Sequence, residues 1–228
     1  MPEIKERPIL FSAPMVRAIL DGRKTVTRRA VKGFQIPTED TAIPVGDRQR
    51  WSAIGQRDPR YGLCVFGSTE QECAKELEEY APCPYGRRGD RLWVRETWGL
   101  QVRNYGGGTG EHIVYRAANP DAIYCKSAEG QEYPVKWKPS IHMHRHSSRI
   151  LLEITDVRVE RLQDISGDQA EAEGVDAAMC QQFLETSPSR HQCKEAVIHG
   201  FAGLWQSTGG DWNANPWVWV VEFKRVTP

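Results

Sequence analysis

The chain has 228 residues, 39% of them hydrophobic, with 30 basic and 30 acidic side chains and a formal net charge of zero. That length supplies a sizeable core, and the charge balance excludes a wholly basic nucleic-acid coat and a wholly acidic tail. The signs are nevertheless clustered: residues 1–32 carry +5, 85–103 carry +3 and 136–149 carry +4, which leaves −12 for the remainder. No run approaches the ~18 apolar residues of a spanning helix, and residues 1–7 are charged rather than signal-like. The expectation is a soluble, cytoplasmic chain with no membrane partner. Six cysteines without a Cys-x-x-Cys pair read as reduced thiols, not as a disulfide scaffold or a zinc knot.

In chain order, residues 11–22 predict a short helix with Ser12 as N-cap, Pro14 in its first turn, Gly22 as its stop, and Met15, Ile19 and Leu20 on its buried face. Residues 23–29 are β-prone. In a regular strand Lys24, Val26 and Arg28 point one way, and Thr25, Thr27 and Arg29 the other. Residues 33–84 mix Pro, Gly, acidic and Gln residues, with one short helix around Thr69 to Tyr80, and read as an insertion with little core of its own. Arg91 to Trp98 alternates as a half-buried strand, and Gly106-Gly107-Gly108 is a loop without the Lys-Ser/Thr of a phosphate cradle.

Arg149 to Leu162 predicts one long strand with a mid-strand irregularity. Ser166 with Gln169 is a capping-box pattern and Gly174 a stop, so Gly167 to Glu173 is a helix of barely two turns. A further helix is predicted over Lys194 to Trp205. The closing strand runs from Pro216 to Lys224, where Trp217/Trp219 alternate with Val218/Val220 and one of the two sets is core. Strands outnumber helices, which points to a small barrel-like sheet with helices at its ends.

Three groups bear chemistry. Lys24 and Thr27 read either as a solvated lysine beside a strand residue or as a base and a nucleophile, provided the amine is desolvated. Glu173, at the negative end of a helix dipole, is either exposed at a fraying end or answered by a cation from the first segment. His142, His144 and His146 would line one face of a strand. There they would bind zinc or join Lys136, Lys138, Arg145 and Arg149 in a phosphate-facing surface. Tryptophans beside basic residues, Trp93 next to Arg95 among them, suit stacked bases and phosphates.

The segment Ile19-Leu20-Asp21-Gly22-Arg23-Lys24-Thr25-Val26-Thr27-Arg28-Arg29, the Gly89-Asp90-x-Leu-x-Val entry, Ala170-x-x-Glu173-Gly174 and the closing Trp219-Val-Val-Glu-Phe223 together resemble the ASCH domain, a branch of the PUA-like fold. The chain is similar in particular to ASCH-containing proteins of tailed phages and prophages. The likeness covers residues 7–32 and 83–226. It implies an α+β fold: one PUA-like domain over 1–228, a small β-barrel with flanking short helices, and a loop-rich insertion at 33–82.

It also implies a site. Bacterial N4-acetylcytidine amidohydrolases of this family release acetate through a Lys, a Thr and a Glu, which fall on Lys24, Thr27 and Glu173. The resemblance therefore implies hydrolysis of an acyl group from a modified cytosine. Arg28, Arg29, Trp93, Arg95 and His142 would contact the substrate, and neither metal nor cofactor would be needed. The implied partner is a modified nucleoside or a single-stranded or structured nucleic acid, RNA favoured, in a bacterial or phage-infected cytosol. The alternatives are a non-catalytic RNA- or DNA-binding module and a ribonuclease.

Overall fold

The structure is a computed structural model in which residues 3–56, 62–105, 108–175 and 193–227 are described. Its elements are β1 (Glu6–Leu10), α1 (Ala13–Leu20), β2 (Val26–Ala30), β3 (Thr38–Glu39), β4 (Trp51–Gln56), β5 (Leu63–Gly67), α2 (Glu70–Tyr80) and β6 (Arg91–Arg95). There follow β7 (Trp98–Tyr105), β8 (Gly108–Tyr115), β9 (Ile123–Lys126), β10 (Glu132–Pro134), β11 (Leu151–Arg161), α3 (Gly167–Ala172), α4 (Cys193–Ser207) and β12 (Trp217–Val226). The fold class is α+β, mostly sheet with few helices. No helix among the described residues is long and apolar enough to cross a membrane.

The chain divides into two compact units, one of Met1–Arg23, Asp90–Glu153 and Lys224–Pro228, the other of Lys24–Gly89 and Ile154–Phe223. In the first, β1 runs parallel to β6, and β6 pairs antiparallel with the start of β11. β7 and β8 form a hairpin from Trp98↔Tyr115 to Tyr105↔Gly108, and β9 pairs with β10. Helix α1 begins as its residues dictate: Ser12 sits at the N-cap with proline in the first turn, and Gly22 closes the helix at φ +75°. Its buried face is Met15, Val16, Ala18 and Ile19, with Leu20 half-buried at its end.

In the second unit β12 lies between the rest of β11 and β2, and it pairs antiparallel with β2 from Val218↔Ala30 to Glu222↔Val26. Both sets of the Trp/Val alternation are buried, Trp217 and Trp219 as well as Val218 and Val220, so β12 is covered on both faces. Val26, Val218 and Val220 pack on one of them with Leu162, Ile165, Ala170, Ala196 and Phe201. The expected closed barrel is not formed: among the described residues every strand ladder is open, and β2 pairs with β12 alone. The chain just ahead of β2 donates its Thr25 N–H not to a strand but to the Ala172 carbonyl at the end of α3, 2.9 Å away.

Residues 33–84 correct the expectation of an insertion with little core of its own. β3, β4 and β5 form an antiparallel sheet covered by α2, and Ala53, Val65, Cys73, Ala74 and Leu77 are buried in it. Two of its acids accept main-chain hydrogen bonds. Glu76 takes the Phe66 N–H at 2.8 Å and Glu72 the Ser68 N–H at 2.9 Å. The predicted helix is present, with the Thr69 hydroxyl capping the Glu72 N–H at 3.2 Å.

Candidate functional site

Strand β2 and helix α3 carry the site. The capping box forms as its residues predict: the Ser166 hydroxyl accepts the Gln169 N–H, and the Gln169 side chain returns to the Ser166 N–H. Seven residues after Ser166 the helix ends at its C-cap, Glu173, and Gly174 takes φ +89°, a conformation that favours glycine. Glu173 is 3% exposed and Lys24 3% exposed, so both are core residues rather than the solvated alternatives.

The Lys24 ammonium donates to Glu173 Oε2 at 2.6 Å, to the Glu173 main-chain carbonyl at 2.8 Å and to the Val26 carbonyl at 2.7 Å. Its three hydrogens are thereby engaged. One cation answers both the carboxylate and the carbonyl end of the α3 dipole, the place where an unpaired acid is least stable. The third bond rests on the peptide joining Val26 to Thr27. Burial holds the Lys24 pKa below its ordinary 10.5; the Glu173 charge and hydrogen bond oppose this, and the Arg29 and Arg28 charges add to it.

Arg28 completes the cluster. Its side chain is fully buried, with Nη1 3.4 Å from Glu173 Oε1, and Nη2 3.2 Å from Glu160 Oε2 and 3.0 Å from Gln169 Oε1. Two buried cations thus face two carboxylates, and each is partnered, as burial requires. Glu160 was not singled out in the sequence, and Gln169 only as the capping-box partner of Ser166. The spacing that put Lys24 and Arg28 on one strand face was a signal that they share an acid, but the partners lie more than a hundred positions away.

Register separates the neighbours of Arg28. Thr27 stands opposite Val221 and Arg29 opposite Trp219, so by strand alternation these four share one face of the β2–β12 pair, and Arg28 and Val220 the other. Thr27 is 4% exposed and Arg29 half-buried. Arg29 is close enough to Tyr85 for its charge to act on that phenol. Lys24, Thr27, Arg28, Arg29 and Glu173 therefore gather around β2, with Thr27 and Arg29 facing away from the carboxylates.

Trp93, Arg95 and His142 belong to the other unit. Trp93 is buried, with the Arg95 guanidinium 4.7 Å above its ring centroid. The period-two histidine strand is not formed. His142 ends a 3₁₀ turn over Ser140–His142, a second turn spans Arg145–Ser147, and the His144 and His146 rings stack at 5.5 Å. Pro139 ahead of the first turn donates no N–H to a ladder, so a strand running through it could pair only as an edge. Among the described residues no group of three or more His, Cys, Asp or Glu is placed to hold a metal. The basic excess is partly answered in this unit, since Arg145 pairs with Glu6 at 2.7 Å and Arg149 with the buried Glu96 at 2.8 Å. Comparison with family models, curated proteins and solved structures finds no match for the chain.

Proposed function

We propose that this chain is a PUA-like, ASCH-type amidohydrolase that removes an acyl group from the exocyclic nitrogen of a modified cytosine. The observation that carries the reading is the buried Lys24 ammonium, held by Glu173 against the Val26–Thr27 peptide. A lysine whose pKa is lowered by burial serves as a general base once it gives up its proton.

In this reading the neutral Lys24 amine keeps its two bonds to Glu173, gives up the one to the Val26 carbonyl, and reaches past the Val26–Thr27 peptide so that its lone pair meets the Thr27 hydroxyl on the other strand face. The Thr27 hydroxyl oxygen attacks the acyl carbon as its proton passes to Lys24, and the carbonyl electrons move onto an oxyanion. Arg29, on the same face of β2 as Thr27, balances that negative charge. The tetrahedral intermediate collapses, the C–N bond breaks, and the base leaves with the proton from Lys24. Water then cleaves the acyl–Thr27 ester, passing one proton through Lys24 back to the Thr27 oxygen and releasing the acid. Glu173 positions Lys24, and Arg28 positions Glu173.

The test is acetate release from N4-acetylcytidine and related acylated nucleosides by the purified protein. Wild type is expected to release acid and Lys24→Ala to fall to background. Equal rates for the two would overturn the assignment.

A further inference from the structure

The buried cluster does not end at Arg28. Its guanidinium continues into a row of side chains in which the sign of charge alternates. Arg28 Nη2 lies 3.2 Å from Glu160 Oε2, and the other Glu160 oxygen accepts from Arg158 Nε. Arg158 in turn donates to Glu222 and, at 3.2 Å, to Asp156. From the inside outward the order is Lys24, Glu173, Arg28, Glu160, Arg158, Glu222, so every charge between the two ends stands between two of opposite sign.

The sheet dictates this row. Arg28 stands opposite Val220 and Val26 opposite Glu222, so by alternation Arg28 and Glu222 share one face of the β2–β12 pair. β11 is the other neighbour of β12, and it carries Arg158 and Glu160 two residues apart, hence on one face. The inner end of the row is closed to water at Lys24, Glu173 and Arg28, whereas the outer end opens at Glu222, 42% exposed, and Asp156, 53% exposed. Burial opposes the Arg158 charge, and the bonds to Glu160 and Glu222 more than restore it. Salt screens such part-buried charges little, so a change at one reaches the next.

Two acids divide Arg28 between them. Glu160 meets Nη2, while Glu173 meets Nη1 at 3.4 Å, a longer contact than its 2.6 Å bond to Lys24. Glu173 is thus given mainly to the lysine while Glu160 serves the arginine. The charges that act on the Lys24 ammonium are Glu173 from α3, which favours it, and Arg29 and Arg28 from β2, which oppose it.

We infer that Glu160 is a positioning residue for Lys24, holding Arg28 so that Glu173 is left to the lysine, and that Arg158 sets how strongly Glu160 does so. The inference deepens the hydrolase reading and rests on it for the effect on rate; the coupling itself is measured without substrate. Without the Glu160 charge, Arg28 draws on Glu173 and its own charge goes less answered, and both effects release the lysine proton at lower pH. Without Arg158, Glu160 pulls harder on Arg28 and adds negative charge, and the proton is held to higher pH. A loss of packing has no reason to give two shifts of opposite sign.

The test labels the full chain with lysine carrying ¹³C at Cε, identifies the Lys24 resonance by its loss in Lys24→Met, and follows it against pH. Glu160→Gln, which keeps the shape of the side chain, is expected to lower the Lys24 midpoint by about 0.5–1 pH unit, and Arg158→Met to raise it by less, with circular dichroism unchanged. The midpoint of acid release from N4-acetylcytidine should move in the same order. If Glu160→Gln does not fold, the upward shift in Arg158→Met decides alone. Unmoved midpoints, or shifts of one sign in both variants, overturn the inference. The expected shifts in a protein that releases no acid uphold the coupling and remove the hydrolase; acid release with unmoved midpoints does the reverse.

Discussion

Lys24 and Glu173, 149 positions apart, meet through two hydrogen bonds, one to the carboxylate at 2.6 Å and one to the main-chain carbonyl at 2.8 Å. The lysine is therefore both the counter-ion of the acid and the cap of the helix that carries it. Glu173 in turn is shared with Arg28, at 3.4 Å from its other oxygen.

That sharing makes the two ends of the pair unequal. Glu173→Ala leaves two buried cations short of an acceptor and should cost about 3–5 kcal/mol. Lys24→Met leaves Glu173 answered by Arg28 and should cost less, about 1–3 kcal/mol. Urea unfolding of both variants checks the order; a larger loss for Lys24→Met contradicts the arrangement.

The Lys24 proton gives stability a definite slope. The fold holds this ammonium less tightly than the unfolded chain does, so between its lowered pKa and about 10.5 the unfolded chain binds more protons. Across that window the stability of wild type relative to Lys24→Met should rise with pH, and it should be lost as pH falls through the folded value. Denaturant midpoints at stepped pH measure it, and parallel profiles for the two proteins would remove the effect. The rate of acid release should rise as pH passes through the folded value and level off above it, as a base that must first lose its proton requires.

Thr27 and Arg29 share a strand face, and their substitutions should separate nucleophile from oxyanion support. Thr27→Val keeps the buried shape and should abolish turnover, whereas Thr27→Ser should retain part of it. Arg29→Gln should lower kcat by about 10²–10³-fold with little change in KM. Steady-state kinetics on N4-acetylcytidine decide. Full activity in Thr27→Val would exclude the hydroxyl as nucleophile.

Leu77, fully buried on α2, anchors the core of the 33–84 segment. Leu77→Ala should destabilise by about 2–5 kcal/mol in urea unfolding, and a loss under 1 kcal/mol would mean the segment carries no core of its own.

Local signals resolved much of this fold. Ser12 with Pro14 and Gly22, and Ser166 with Gln169 and Gly174, marked helix ends, because caps and stops act within a few residues. The histidines at 142, 144 and 146 misled because period-two spacing is only a necessary sign of a strand. Here the chain takes two 3₁₀ turns instead. Segment 33–84 misled because its few apolar residues, Ala53 and Val65 on the sheet and Cys73, Ala74 and Leu77 on α2, are gathered into one core only when the segment folds.

By itself, then, the sequence determined which short stretches become helix or strand and which face of β2 each side chain of 26–30 takes, since backbone periodicity is a local property. Only the tertiary structure decided that Lys24 and Arg28 share Glu173, that Glu160 and Gln169 join them, and that Gln35 accepts the Trp219 indole N–H. Those pairings join positions 132 to 184 residues apart. Partners at such separations are chosen by the need to satisfy every charge and amide taken out of water, which acts only once the chain has folded around them.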